Sequence, residues 1–345
     1  MMRVFHHPDQ ALHDPPLVFR YGRFIDQPDR AERYDIFLRA AAEAGHRIDV
    51  AKDVGLQAIL AVHDPAYVAF LEDAWSRWQE LPGASEDAIP SVHPTHRMTR
   101  MPEHVLGQLG WYSNSTSCPI QAQTWRSVRA SAWSAVAAAD YVCGTGEAAY
   151  ALCRPPGHHA YPDLMTGVCY LNNAAIAAER LAARYGKVAI LDIDVHHGNG
   201  TQHIFWERPD VLFCSIHGDP AHIAPFYAGY RDETGAGGGQ GLNLNIPLPL
   251  GTGDEAFLAG VEEMLSAVRA FGPAAVVVSL GFDASEHDPH QTFAISDDGF
   301  ARTAERVAAL GLPTLLVQEG GYINPQRRTA LGTTLTRFLQ AFARH

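Results

Sequence analysis

The chain reads as an α/β protein, one domain over residues 1–345 built on a doubly wound parallel sheet flanked by helices. Three observations predict this. Short apolar runs alternate with helix-length amphipathic segments, as in linked βαβ units. The runs are apolar at consecutive positions, the pattern of strands buried on both faces. Residue types capable of chemistry cluster just after the runs, where open parallel sheets bind their ligands. No internal repeat or low-complexity linker divides the 345 residues.

The elements follow in order. Met1-Met2-Arg3-Val4-Phe5-His6-His7 reads as the first strand. Residues 81–123 carry Pro82, Pro90, Pro94, Pro102 and Pro119, with weak periodicity and with Trp111 and Tyr112 looking exposed. This is expected to be a long insertion loop with at most short helices, and such loops in a compact domain are functional or interfacial. A helix is predicted over Trp125–Val142 with Thr124 as N-cap, then a strand over Ala149–Cys153. Next come a helix over Asn172–Tyr185 and strands over Val188–Leu191 and Val211–Ile216. Gly235-Ala236-Gly237-Gly238-Gly239 lacks a following Lys-Ser/Thr and is a flexible loop, not a phosphate cradle. A helix over Asp254–Phe271, a strand over Ala275–Leu280, a helix over Asp297–Ala309 and a strand over Thr314–Gln318 complete the pattern.

Composition narrows the function. A hydrophobic content of 47% supports a sizeable core, and a net charge of −12 without any basic run argues against nucleic acid as a partner. No uncharged apolar stretch reaches the ~18 residues of a membrane span, and the N-terminus lacks a signal-peptide core, so no membrane association is expected. Cys118, Cys143, Cys153, Cys169 and Cys214 are scattered and odd in number, which points to reduced thiols and a cytoplasmic location.

Five of the strand candidates end in loaded sequences: Arg154-Pro155-Pro156-Gly157-His158-His159, Asp192-Ile193-Asp194-Val195-His196-His197-Gly198, His217-Gly218-Asp219, Gly281-Phe282-Asp283, and Glu319-Gly320-Gly321-Tyr322. Successive side chains in extended backbone point to opposite sides, so Asp194 and His196 are expected to point the same way, with Asp192 on that side one step earlier. Asp194, His196 and Asp283 then form a two-carboxylate, one-imidazole set suited to Zn²⁺ or Fe²⁺ with positions left open. Such an ion is a Lewis acid that acidifies water. His158 and His159 follow a Pro-Pro-Gly turn and suit a general base and an acid or electrostatic partner. Asp192 is expected to orient His158, and Asn199 to orient His159, through the far ring nitrogens. Tyr322, on a Gly-Gly turn, is placed to stabilise an oxyanion, while His217 reads as structural or supporting.

Together with Gly167-Val168-Cys169-Tyr170-Leu171-Asn172-Asn173 and Ser279-Leu280, these motifs resemble the histone deacetylase superfamily, an arginase-like α/β fold, and most of all its bacterial acetylpolyamine amidohydrolase branch. The resemblance implies zinc at Asp194, His196 and Asp283, His159 as general base, His158 as electrostatic or acid partner, and Tyr322 as carbonyl polariser. It further implies a structural K⁺ near Asp192, Asp194, His196 and Ser215. The substrate channel would be formed by Gly167, beside the acyl amide, with Val168, Phe226 and Tyr227. It implies deacetylation of acetylated polyamines or similar small cationic N-acetyl amines, and a homodimer through the 81–123 insertion. The chain departs from that branch at Leu106 and Ser117, where acidic residues can bind a distal ammonium, and at Val168, where the tunnel is usually aromatic. Glu103 and Asp219 are candidate substitutes. Alternative readings are a protein lysine deacetylase, a dinuclear ureohydrolase, for which only one three-ligand set is found, and a catalytically inactive acyl-amine- or metal-binding module.

Overall fold

The computed structural model describes residues 1–20, 22–93 and 99–344; positions 94–98 of the insertion, Pro94 among them, lie outside the described residues. In chain order the strands are β1 Arg3–His6, β2 Leu17–Arg20, β3 Arg23–Asp26, β4 Arg47–Val50, β5 Ala149–Ala151, β6 Val188–Asp192, β7 Val211–Gly218, β8 Asn243–Leu248, β9 Ala275–Leu280 and β10 Thr314–Gln318. The α-helices are α1 Glu32–Glu43, α2 Gln57–Leu60, α3 Pro65–Gln79, α4 Val105–Trp111, α5 Thr124–Thr145, α6 Asn173–Tyr185, α7 Asn199–Phe205, α8 Asp254–Phe271, α9 Asp297–Ala308 and α10 Ala330–Phe342.

Eight strands form one sheet in the order β4-β1-β5-β10-β9-β6-β7-β8, with every neighbouring pair parallel. The doubly wound, helix-flanked sheet expected from the sequence is the observed architecture. Alternate residues of each central strand enter opposite cores. Ala189 and Leu191 of β6 join Val276 and Val278 of β9 and Leu316 of β10 on one face. Val188, Ile190, Ala275, Val277, Leu315 and Val317 fill the other. Consecutive apolar residues are therefore required, since each such Val or Leu gains about 1.5–3 kcal/mol from full burial. Strands β6 and β9 are neighbours, but β6 leads outward to β7 whereas β9 leads back to β10. The connections diverge between them, which opens a crevice beyond their carboxyl ends.

Several local expectations need correction. The backbone leaves β6 at Asp192, so Asp194 and His196 lie past the strand and strand alternation does not align them. Thr124 is the first residue of α5 and does not cap it; its hydroxyl accepts from Gln121 N–H at 2.7 Å and pairs with His13 at 2.9 Å. Tyr112 is buried, its ring 4.7 Å from Phe70 and 5.4 Å from Tyr67, and Trp111 packs on the same cluster. The insertion thus seats its aromatics on α3 of its own chain. Strand β8 and edge strand β4 escaped the sequence pattern because polar residues interrupt them. Among the described residues, no helix is long and apolar enough to cross a membrane.

Candidate metal centre and catalytic cavity

The segments following β6, β9 and β10 meet at the crevice. Asp194 turns back on itself: its Oδ1 accepts the His196 N–H at 2.9 Å, while Oδ2 accepts Gly320 N–H at 2.8 Å. Asp283 Oδ1 accepts Val195 N–H at 2.9 Å. Backbone donors thereby preset both carboxylates. His196 Nδ1 lies 3.3 Å from Asp194 Oδ1 and 3.0 Å from Asp283 Oδ2. One ligand atom from each of the three residues falls within 4.8 Å of the others. The approach depends on missing side chains, since a Cβ on Gly281 would overlap the Asp194 carboxylate and one on Gly320 would strike both carboxylates.

The electrostatics of this triangle fit a cation. Burial and the adjacent Asp194 charge push Asp283 up to about 6. Burial opposes charge on His196, but hydrogen bonds to Asp194 and Asp283 lift it to about 9. Asp194, despite burial, is held low by His158 and His196. Two buried carboxylates draw in whatever positive charge is available, and a divalent ion suits this donor set.

The tandem histidines take different partners. His158 Nδ1 pairs with Asp192 Oδ2 at 2.9 Å, and its Nε2 lies 3.7 Å from Asp194 Oδ1. Burial opposes its charge, yet Asp192 and Asp194 raise its pKa well above the usual imidazole value. His159 Nδ1 meets Asn199 Oδ1 at 2.6 Å. Burial, His158 and His196 drive its pKa well below the usual value. The rings are 4.1 Å apart, one favoured as imidazolium and one as neutral imidazole. Gly167, at φ 57, lies so close to the His159 ring that a Cβ would overlap it. Asn199 is held by donating to the hydroxyls of Tyr161 at 3.1 Å and Tyr227 at 3.2 Å.

Tyr322 shares the cavity with His159 and His196. Burial and Asp283 raise its phenol well above its ordinary pKa, so it stays a proton donor. Arg33 lies 4.9 Å from its ring centre and donates to the carbonyls of Gly321 at 2.5 Å and Glu319 at 2.8 Å. Glu319, which burial pushes up to about 7, accepts from Gly157 N–H at 2.7 Å and His158 N–H at 3.1 Å, tying the segment after β5 to that after β10. Asp288 Oδ2 accepts Tyr322 N–H at 2.9 Å. Sequence reasoning assigned no role to Arg33, Asp288 or His290 and did not see the anchoring by Glu319. The run His287-Asp288-Pro289-His290 so soon after Asp283 was the available signal; Arg33 in a polar-looking helix had none.

Ser215 lies beside Asp192 in the β6–β7 register, and its hydroxyl pairs with His217 Nδ1 at 2.9 Å. His217 Nε2 pairs with Gly229 O at 2.8 Å, a supporting role. The cavity measures ≈ 500 Å³ and is lined by all four channel candidates, Gly167, Val168, Phe226 and Tyr227. Phe226 is 61% and Tyr227 54% exposed, which puts them at the mouth. Ser117 also lines the cavity; Leu106, Glu103 and Asp219 do not, so neither acidic substitute faces the substrate space.

A histone deacetylase domain matches residues 26–338. The acetylpolyamine amidohydrolase of Burkholderia pseudomallei (strain 1710b) is 45% identical over 322 residues, covering 93% of this chain and 94% of that protein. The acetylpolyamine amidohydrolase of Mycoplana ramosa is 41% identical over 328 residues, covering 94% and 96%. The crystal structure of acetylpolyamine aminohydrolase from Burkholderia pseudomallei superposes with a TM-score of 0.95 at 43% identity, over 99% of each chain. With its domain match spanning most of the chain and its candidate metal-ligand triangle at the sheet's switch point, this protein belongs to the histone deacetylase family.

Proposed function

We propose that the chain is a zinc-dependent amidohydrolase that removes acetyl from small N-acetyl amines, acetylated polyamines first among them. The observation that carries the reading is the Asp194–His196–Asp283 triangle, whose His196 lines the same cavity as His159 and Tyr322. Two near-full-length relatives named acetylpolyamine amidohydrolase support the substrate class. When bound, Zn²⁺, or Fe²⁺ in its stead, supplies Lewis acidity toward an acetyl carbonyl and acidifies water.

The protein's residues do the rest. His159, with its Nδ1–H on Asn199, keeps the Nε2 lone pair for the proton of the attacking water. The Tyr322 hydroxyl donates to the oxygen that gains charge as the acetyl carbon becomes tetrahedral. His158, kept cationic by Asp192 and Asp194, stabilises that charge. The C–N bond breaks as the amine takes a proton from His159 or His158, and acetate and the free amine leave. Gly167 leaves room for the amide beside His159.

The reading includes a structural K⁺ near Asp192, Asp194, His196 and Ser215, for which family likeness is the support. It also includes a cytoplasmic location, supported by five free cysteines, and a homodimer through the 81–123 insertion, whose Val92 and Met101 are exposed. Sedimentation at micromolar concentration tests the dimer, and a monomer there removes it. Acetate release by metal-stripped and zinc-loaded protein from acetylputrescine, acetylcadaverine and an acetyl-lysine peptide tests the activity, with about one catalytic ion per chain expected. No turnover of any acetyl amide, or two catalytic ions per chain, overturns the proposal. Protein lysine deacetylation is the second reading, favoured by a cavity lining without Asp or Glu among the described residues. Preference for the peptide decides for it.

A further inference from the structure

The turn Ser113-Asn114-Ser115-Thr116-Ser117 of the insertion is held more firmly than its polar composition suggests. Ser113 Oγ accepts Ser115 N–H at 3.2 Å and donates to Ser115 O at 2.6 Å. Ser115 Oγ accepts Ser117 N–H at 3.1 Å and pairs with Ser117 Oγ at 2.7 Å. Thr116 Oγ1 donates to Phe19 O of β2 at 2.8 Å, and Tyr112 O, just before the turn, accepts Met165 N–H at 2.8 Å. These bonds pin the turn to itself and to its neighbours. They leave the Asn114 amide to reach further, and its Nδ2 donates at 2.8 Å to the hydroxyl of Tyr227, on the loop after β7.

The Tyr227 hydroxyl has a second partner. It accepts Asn199 Nδ2 at 3.2 Å, and the Tyr161 hydroxyl accepts the same amide at 3.1 Å. Asn199 Oδ1 then faces His159 Nδ1 at 2.6 Å. The last torsion of an asparagine is broad, so its hydrogen bonds must impose the orientation of the amide. Tyr161 lies on the same segment as His159, two residues on, so Tyr227 supplies the brace from outside that segment. The loop carrying Tyr227 is itself anchored at Gly229. Its N–H donates to Glu233 Oε2 at 2.9 Å, its carbonyl pairs with His217 Nε2 at 2.8 Å, and a Cβ there, at φ 105, would strike His197 and His217. The insertion, the loop after β7 and the first residue of α7 therefore meet at one oxygen, one side chain removed from the proposed base.

We propose that Asn114 and Tyr227 are positioning residues for proton transfer: through the Tyr227 hydroxyl, the insertion holds the Asn199 amide, and with it His159, in place for the attacking water. The inference rests on the deacetylase reading above. It gives the insertion a part in turnover that is separate from assembly and from the shape of the cavity. Asn114 is exposed and Tyr227 is 54% exposed, so the bond between them contributes little to folding. A small displacement of a base, by contrast, costs turnover directly.

The test uses zinc-loaded full-length protein and whichever of acetylputrescine, acetylcadaverine and an acetyl-lysine peptide it turns over fastest. Tyr227→Phe removes the hydroxyl and keeps the ring, and is expected to lower kcat about tenfold while KM stays within about twofold. Asn114→Ala is expected to lower kcat about threefold in the wild type and to have no further effect in Tyr227→Phe, because it acts through the hydroxyl that is gone. Zinc content and Tm should match the wild type in both variants. Unchanged kcat in Tyr227→Phe, or a loss confined to KM as for a residue that only shapes the channel, overturns the assignment. So does an equal kcat loss from Asn114→Ala with and without the hydroxyl, which would make the two residues independent. A fall in zinc content or Tm alongside kcat marks a general disturbance and overturns it as well. Wild type that hydrolyses no acetyl amide sinks the deacetylase reading itself, and this role falls with it.

Discussion

Replacing Asn199 by Asp probes the proton-transfer chemistry with little change of shape. In the wild type, His159 Nδ1 rests on an amide oxygen at 2.6 Å, and burial together with the His158 and His196 charges keeps the ring neutral. A carboxylate at that position adds a full negative charge in contact with a buried imidazole. A close opposite charge shifts a pKa by about 1–3 units, corresponding to about 1.4–4 kcal/mol between the two protonation states. The surrounding bonds can persist, because the hydroxyls of Tyr161 and Tyr227 that now accept from Asn199 can turn and donate to Asp. As the proposed base, His159 acts unprotonated, so on that reading activity fails as pH falls through its pKa. Raising that pKa must therefore move the acid limb of the kcat/KM profile to higher pH, while the plateau above it is retained. Stopped-time acetate release between pH 5 and pH 9 on zinc-loaded Asn199→Asp reads this directly. An acid limb that stays put, with metal content unchanged, would refute His159 as the base.

Other outcomes follow from the same geometry. Gly320→Ala puts a methyl against both ligand carboxylates, so zinc affinity should fall by about 10–100-fold in a chelator competition while the far-ultraviolet dichroism is kept. Tyr322→Phe should retain the ion and lose about 10²–10³ in kcat, with metal analysis and steady-state rates as the paired measurements. Acid stability should depend on His63, which is buried with Nδ1 3.2 Å from Pro162 O and Nε2 accepting Asn172 N–H at 2.9 Å. Burial lowers its pKa from 6.5 to about 4, so the unfolded chain binds the proton first as pH drops. Its contribution, up to about 3 kcal/mol, is present above pH 6.5 and lost as pH falls toward 4. Denaturant midpoints should show a shallower decline over that window in His63→Gln, and an identical decline would disprove the contribution.

Much of this was legible in the residues. Strands β6, β9 and β10 announce themselves because both faces are buried, which forces consecutive apolar positions. Asp194, His196, Asp283, His158, His159 and Tyr322 stand out because ionisable side chains rarely follow such runs without a use. The alignment inferred from strand periodicity was mistaken in cause. Asp194 and His196 converge through a side-chain-to-backbone turn after β6, held by Gly320 N–H from the segment after β10. Arg33, Asp288 and Glu319 look locally like solvated polar residues, and only their long-range partners reveal them as buried supports.

The residues alone determined the buried strands at the centre of the sheet, which donors are available, and the family to which the order of motifs points. The tertiary structure decided that β6 lies against β9, that the two carboxylates share one imidazole, and that His290 lines the same cavity as Tyr322. The physical reason is that periodicity reports which side of an element leaves water. Donor geometry depends instead on which distant loops the sheet order brings together, and on the backbone N–H groups and side-chain-free glycines waiting there.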